Sequence, residues 1–168
     1  MRIHDEKLRA DRLVFYAQDV ARLDGELDAF LELCGARCAM LIDKEGHLVT
    51  RRGEPLNSSV ESISALIAGS FAATKEMARL LGENEFTALF HQGERDNIQL
   101  SLVGDRTLLT ILFDDRTTVG MVRLYANETA KKLAEIYTDA MTRTRDNAPE
   151  LEAGYGNSAK KKLDNLFD

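Results

Sequence analysis

The feature that most constrains the fold is a long helical segment whose middle consists almost entirely of small residues. Ser58 and Glu61 have the spacing of a capping box, which predicts that the helix begins there. The helix is expected to run to Leu81, with Gly82 as its stop. Gly69 in its interior costs about 1 kcal/mol relative to alanine, so an offsetting contact is expected. Close approach of another backbone is the usual reason for such a glycine.

The residue spacing leaves two interpretations of this segment open. In the first, the small residues pack against the protein's own sheet. In the second, large residues such as Leu66, Leu80 and Leu81 face the core. The small residues would then form a separate contact surface made of Ala65, Gly69, Ala72 and Ala73.

A helix and a hairpin precede this segment. Apolar residues at intervals of three and four predict a helix over about residues 16–33, with Gly35 as its stop. Residues 36–43 and 47–52 read as two strands joined by a tight turn, in which Gly46 supplies the positive φ. The sequence therefore predicts a β-hairpin between the first two helices.

Three strands and a helix follow. The strands are predicted over residues 85–91, 97–103 and 106–113, and the last is the most apolar and therefore central. Residues 119–141 return to helical spacing, with one apolar face: Val122, Tyr125, Leu133, Ile136 and Ala140. The predicted order is helix, two strands, helix, three strands, helix.

Composition divides the chain into four parts. Residues 1–15 form a lead-in, 16–143 the folded domain, and 144–157 a flexible linker rich in turn-forming and polar residues. Residues 158–168 are expected to form a short amphipathic C-terminal helix. Its apolar face would consist of Leu163, Leu166 and Phe167. A helix this short is marginal in water, so it should fold only when it docks onto something.

Charge and composition exclude several classes of partner. The formal net charge of −6 argues against a nucleic-acid partner, because proteins that bind phosphate backbones carry a basic face. Neither a signal peptide nor an apolar run of about 20 residues is present, so we expect a cytoplasmic protein that does not enter a membrane. Cys34 and Cys38 are expected to be reduced, buried thiols.

Motifs of catalysis and of cofactor binding are absent from the sequence. There is no phosphate-binding glycine loop, nucleophile elbow or kinase signature. His91 and Glu94 fall at a strand end and a turn, which does not favour a metal site. Asp114 and Asp115 fit a solvated helix lead-in better than a catalytic pair. We therefore expect a protein without an active site, catalytic residues, metal or cofactor.

Several segments, taken in order, resemble the MglB-type roadblock proteins. Residues 64–86, S-A-L-I-A-G-S-F-A-A-T-K-E-M-A-R-L-L-G-E-N-E-F, are similar to the central helix of that family. Residues 40–49, M-L-I-D-K-E-G-H-L-V, resemble its first hairpin. Residues 90–96, 112–124 and 163–168 extend the resemblance: F-H-Q-G-E-R-D, L-F-D-D-R-T-T-V-G-M-V-R-L and L-D-N-L-F-D.

The resemblance implies an α+β fold of the roadblock type. Such a fold has a five-stranded antiparallel sheet in an α-β-β-α-β-β-β-α order, with the central helix on one face and two helices on the other. Family members form homodimers in which central helices lie side by side and edge strands join. The order of elements predicted above agrees with this fold.

The resemblance also implies a function. MglB-type proteins accelerate GTP hydrolysis by the Ras-like GTPase MglA, which sets bacterial cell polarity and motility, and they act at a cell pole. They reposition the GTPase's own catalytic residues, so no catalytic arginine is assigned here. The implied contacts to the GTP-bound partner are Ala65, Gly69, Ala72, Ala73 and Glu76 of the central helix, with Leu163, Leu166 and Phe167 of the tail.

Three other classes of function remain open on the sequence. A roadblock dimer could act as a scaffold or effector that does not stimulate hydrolysis. A small-ligand binder on a profilin-like sheet is the second alternative, and an enzyme is the third.

Overall fold

A computed structural model describes residues 15–146 of the protein, apart from the side chains of Thr144 and Arg145. Phe15–Asp139 forms one compact unit, and only Ala140–Asp146 of a second unit are described. The predicted lead-in up to residue 14, the linker from residue 147 onward and the C-terminal helix of residues 158–168 lie outside the described residues.

The described part of the chain contains three helices and five strands in the predicted order. The helices are α1 (Ala17–Cys34), α2 (Val60–Leu81) and α3 (Val119–Asp146). The strands are β1 (Cys38–Asp43), β2 (Leu48–Gly53), β3 (Ala88–Gln92), β4 (Asn97–Val103) and β5 (Thr107–Phe113). The helix α3 extends three residues into the predicted linker, which was expected to start at Thr144.

The five strands form one antiparallel sheet in the order β2-β1-β5-β4-β3. The strand β5 is central and almost wholly buried, as its continuous apolar sequence predicted. The strands β2 and β3 lie at the two edges. This is the α+β roadblock arrangement that the resemblance implied.

Alternation along the strands gives the sheet two different faces. Met40, Leu100 and Leu108 point to one face, where Ile67 and Phe71 of α2 complete an apolar core. The opposite face carries α1, whose Asp24 and Asp28 accept hydrogen bonds from the β2 side chains Thr50 and Arg52. The helix α3 lies on that face as well, because its Arg123 guanidinium stacks over the ring of Phe90. The sheet is therefore covered on both faces.

The C-terminal ends of α1 and α2 were predicted well, but the N-terminal start of α2 was not. Gly35 and Gly82 adopt left-handed conformations after α1 and α2, as expected of helix stops. The N-cap of α2 is Ser59 and not Ser58, because the Ser59 hydroxyl accepts the hydrogen bond from the Ser62 amide. Two adjacent serines offer the same capping chemistry. The three-residue spacing to Glu61 favoured Ser58, which is why the sequence predicted the wrong serine.

The structure decides one point between the two interpretations of α2. The second interpretation placed Leu66, Leu80 and Leu81 against the core, but these side chains are 73%, 71% and 72% exposed. The buried side of the helix consists of one isoleucine, one phenylalanine and four small residues: Ser64, Ile67, Ala68, Phe71, Thr74 and Ala78. The helix carries apolar residues on its exposed sides as well as on its buried side, so their spacing in the sequence could not identify which side is buried.

The two cysteines are buried and unpaired, as the sequence predicted. Cys34 and Cys38 are free thiols, and burial raises the pKa of each. No helix among the described residues has the length and apolar content to cross a membrane.

Candidate functional site

The small residues of α2 form an exposed face on the side away from the sheet. Ala65, Gly69, Ala72, Ala73 and Glu76 are all exposed. Successive helix residues are offset by about 100°, so these five fall within an arc of about 100°. We call this set the small-residue face. Its alanine and glycine members rise little above the helix backbone, which lets another molecule approach the backbone closely.

Gly69 lies at the centre of the small-residue face, and the space beside its Cα is open. A Cβ placed on it would have no heavy atom within 4 Å. The glycine therefore serves no packing role within the described residues of the protomer. Since alanine would be the better helix former there, the absence of a side chain favours a contact with another molecule.

A charged pair lies at the C-terminal end of this face. The Arg79 Nε donates to Glu76 Oε1 at 3.0 Å, and this contact lowers the pKa of the Glu76 carboxyl. Both side chains are well exposed, so the pair adds little to stability. Either group is available to exchange its partner for a charge on another protein.

Large apolar residues lie beside the small-residue face. Leu66, Met77, Leu80 and Leu81 are each at least half exposed, and we call them the apolar stripe of α2. They fall within a neighbouring arc that overlaps the first at Leu80. Met77, Leu80 and Leu81 lie together in the last turns of the helix, and clustered exposed apolar residues typically mark a protein–protein contact.

The turn between β1 and β2 packs directly on the helix that carries both surfaces. Gly46 has φ +94°, and a Cβ placed on it would lie 3.0 Å from the Cα of Ala65 and 3.5 Å from the Ser64 carbonyl oxygen. Only glycine fits this position without displacing the helix. The turn thus borders the small-residue face at Ala65.

Three polar side chains converge on that same turn. The His47 Nδ1 lies 3.2 Å from Asp43 Oδ2 and 3.8 Å from Glu45 Oε2. The other Asp43 oxygen accepts hydrogen bonds from the Glu45 and His47 amides, at 3.0 and 2.8 Å. In the sequence these residues form an alternating D-x-E-x-H pattern, which is not one of the usual spacings of zinc ligands.

An ion-pair network fixes the opposite end of the sheet. Arg37 binds Glu54 at 2.9 Å and also contacts Asp96, while Arg116 binds both Glu54 and Asp114 at 2.9 Å. These arginines lower the pKa of the Glu54 and Asp114 carboxyls. Asp114 is therefore held as an ion-pair partner, which is a structural role.

Other candidate residues are not brought together. His91 and Glu94 are exposed at the end of β3 and in the following turn, and they belong to no cluster of potential metal ligands among the described residues. Leu163, Leu166 and Phe167 lie outside the described residues, so their expected contact to the GTPase stays a prediction.

Comparison with known proteins gives matches at the level of family and of structure. Residues 23–113 match the Roadblock/LC7 domain family. A gliding protein MglB from Thermus thermophilus is 33% identical, with a TM-score of 0.71, over 76% of this chain and 96% of that chain. Myxococcus xanthus MglB is 34% identical over the same shares, also with a TM-score of 0.71. No curated protein sequence matches the chain.

More distant structures share the fold alone. A Roadblock/LC7 domain from Streptomyces avermitilis is 14% identical, with a TM-score of 0.54 over 71% of this chain and 95% of that chain.

The family match covers more than half of the chain, and the MglB structures are covered almost completely. This chain therefore belongs to the Roadblock/LC7 family, and within it the chain is similar to the MglB proteins.

Proposed function

We propose that this protein is a GTPase-activating regulator of an MglA-like small Ras-type GTPase, with a role in bacterial cell polarity and motility. The observation that carries the proposal is the small-residue face of α2 on a chain similar to MglB along almost the full length of the MglB structures. The partner is the GTP-bound form of the GTPase, and the site of action is a cell pole. The tail residues Leu163, Leu166 and Phe167 provide a second contact to the same partner.

In the proposed mechanism the GTPase lies close against this protein, and no residue of this chain takes part in the reaction. Ras-type enzymes hydrolyse GTP slowly until a glutamine and an arginine are correctly placed, an effect of about 10³ to 10⁵ in rate. A low, open helix surface around Gly69 lets switch segments of the GTPase lie against the α2 backbone. That contact holds the GTPase's own residues in the reactive arrangement.

Arg79 tests this mechanism because it is the arginine of α2 and it borders the small-residue face. Under the proposal, Arg79→Ala changes stimulated turnover by less than about threefold. An arginine inserted into the GTPase site would instead account for at least about 10³ in rate. A loss of that size in Arg79→Ala would replace the proposed mechanism with an arginine supplied by this protein.

The same helix suits a homodimer, in which a second copy covers the apolar stripe. Burial of exposed leucine and methionine side chains favours association by roughly 25 cal/mol for each Å² of apolar surface. One relative, 34% identical, is described as an MglB with tetrameric arrangement. Leu80→Asp should therefore shift the protein to monomer in light-scattering measurements.

A matched control for this variant is available on α1. Leu33 is 61% exposed and lies far along the chain from the apolar stripe, so Leu33→Asp introduces the same charge on another helix. It should leave the molar mass unchanged. Equal behaviour of the two variants would rule out the apolar stripe as the dimer contact.

The experiment that tests the function is GTP turnover by the cognate MglA-like GTPase with and without this protein. Stimulation of at least about tenfold, which is about 1.4 kcal/mol off the barrier, is expected. Gly69→Arg should abolish both binding and stimulation, because a long charged side chain blocks close approach.

Gly25→Arg is the matched control for the site. Gly25 is another exposed glycine within a helix, and a Cβ there also meets nothing within 4 Å. This variant should stimulate normally. Normal stimulation by Gly69→Arg would remove the small-residue face from the interface. A GTP-dependent complex without faster turnover would identify a scaffold or effector in place of an activator.

A further inference from the structure

The β1–β2 turn brings together three side chains of the kind that bind transition metals. Asp43, Glu45 and His47 each offer one potential ligand atom, and all three atoms lie within 4.8 Å of one another. An imidazole nitrogen with two carboxylate oxygens is a ligand set that zinc accepts. The cluster therefore combines two donor types and is more than a group of acidic residues.

The distances between donors suit one shared ion. Zinc binds nitrogen and carboxylate oxygen at about 2.0–2.2 Å, so tetrahedral ligands lie roughly 3.4 Å apart. The His47 Nδ1 lies 3.2 Å from the Asp43 oxygen and 3.8 Å from the Glu45 oxygen. Small rotations of these exposed side chains would bring all three atoms to the required spacing, with water completing the coordination.

The backbone holds the first ligand in place. One Asp43 oxygen is fixed by two amides of the turn, which directs the other oxygen to His47. The Asp43 amide and carbonyl are bound as well, to the His47 carbonyl at 2.9 Å and the Gly46 amide at 3.0 Å. Gly46 in turn packs against α2, so the ligands stand on a fixed turn.

The charge of the turn also favours a cation. Within residues 15–146, the ion pairs of Asp43 and Glu45 involve only His47. The neighbouring Lys44 extends to Glu85 instead, at 3.9 Å. In this described part of the chain, the two carboxylates face the same imidazole, and no lysine or arginine pairs with either of them.

We propose that Asp43, Glu45 and His47 form a surface site for a first-row divalent metal ion such as Zn²⁺. His47 binds through Nδ1 with its proton on Nε2, and each carboxylate gives one oxygen. The proposal does not depend on the proposed function. It places an ion beside Ala65, at the border of the small-residue face.

The test is calorimetric titration of the full chain with Zn²⁺, repeated with Co²⁺ to read the visible absorption of the bound ion. The titrations use a His4→Ala background. His4 lies outside the described part of the chain, and its removal ensures that this histidine cannot supply a metal ligand. One equivalent of metal per protomer is expected. His47→Ala should weaken binding by at least about tenfold and remove the Co²⁺ bands.

Three further variants separate ligation from folding. Asp43→Asn keeps the oxygen that accepts the turn amides, and Glu45→Gln keeps the shape of the side chain, so both should weaken binding in a folded protein. His91→Ala removes an exposed histidine elsewhere and should bind normally. No saturable binding in the His4→Ala background, or equal affinity in His47→Ala, would overturn the proposal.

Discussion

The packing of the hairpin turn on α2 leads to a quantitative prediction for Gly46→Ala. An L-residue held at positive φ costs about 1–2 kcal/mol. The added Cβ would also lie 3.0 Å from the Ala65 Cα, whereas carbon atoms prefer about 3.5–4.0 Å. Crowding of this kind costs about 1–3 kcal/mol. The two costs together predict a loss of about 2–5 kcal/mol of unfolding free energy for this variant.

Gly104→Ala is the matched control for that measurement. Gly104 also has a positive φ, +60°, but a Cβ placed on it meets nothing within 4 Å. Its loss should be limited to the backbone term of about 1–2 kcal/mol. Both variants are measured by urea unfolding at one fixed protein concentration, because self-association would make stability depend on concentration.

A second substitution separates backbone strain from crowding. Asparagine tolerates positive φ better than alanine but still carries a Cβ, so Gly46→Asn reports mainly the contact with α2. It should remain at least about 1 kcal/mol less stable than Gly104→Asn. Equal losses at the two glycines would refute the argument that close packing on Ala65 requires glycine at this turn.

Three other predictions concern charge, the core and the tail. Folding lowers the pKa of Glu54, so the stability from its ion pairs is complete at neutral pH and is lost as the pH falls through the carboxyl range. In Glu54→Gln, the unfolding free energy should therefore change less with pH between about pH 5 and 3 than in the unmodified protein. The buried Thr110 hydroxyl has no hydrogen-bond partner among the described residues, so Thr110→Val should raise the unfolding free energy by about 1 kcal/mol, and a loss of stability would indicate a partner for the hydroxyl. Deleting residues 158–168 should leave the dimer intact in light-scattering measurements but weaken GTPase stimulation. Unchanged turnover would make the tail irrelevant to the GTPase.

The sequence predicted elements best where turn residues and alternation agree. The strand β4 was predicted at both of its ends, because alternating residues are bounded by the turn around Gly93 and by Gly104. The strand β3 begins three residues later than predicted, at Ala88. Its polar and apolar residues continue into the preceding loop, so no local signal marks the start of hydrogen bonding.

The surface of α2 was predicted only in part. Residues such as Ala65 and Gly69 are exposed as the second interpretation required, yet the same interpretation buried Leu66 and Leu80. The choice of buried side is made by how Ile67 and Phe71 fit the sheet, which depends on residues distant in sequence. The Asp43–His47 cluster was missed for a related reason, since its convergence depends on the geometry of a turn.

The packing of Gly46 on α2 constrains the turn and the exposed surface of the helix to different degrees. A Cβ at position 46 would meet the Ala65 Cα, the Ala65 amide nitrogen and the Ser64 carbonyl oxygen, all of which are backbone atoms. The requirement for glycine at position 46 therefore does not depend on which side chain stands at position 65. Related chains can acquire new partners through this helix and keep the same scaffold.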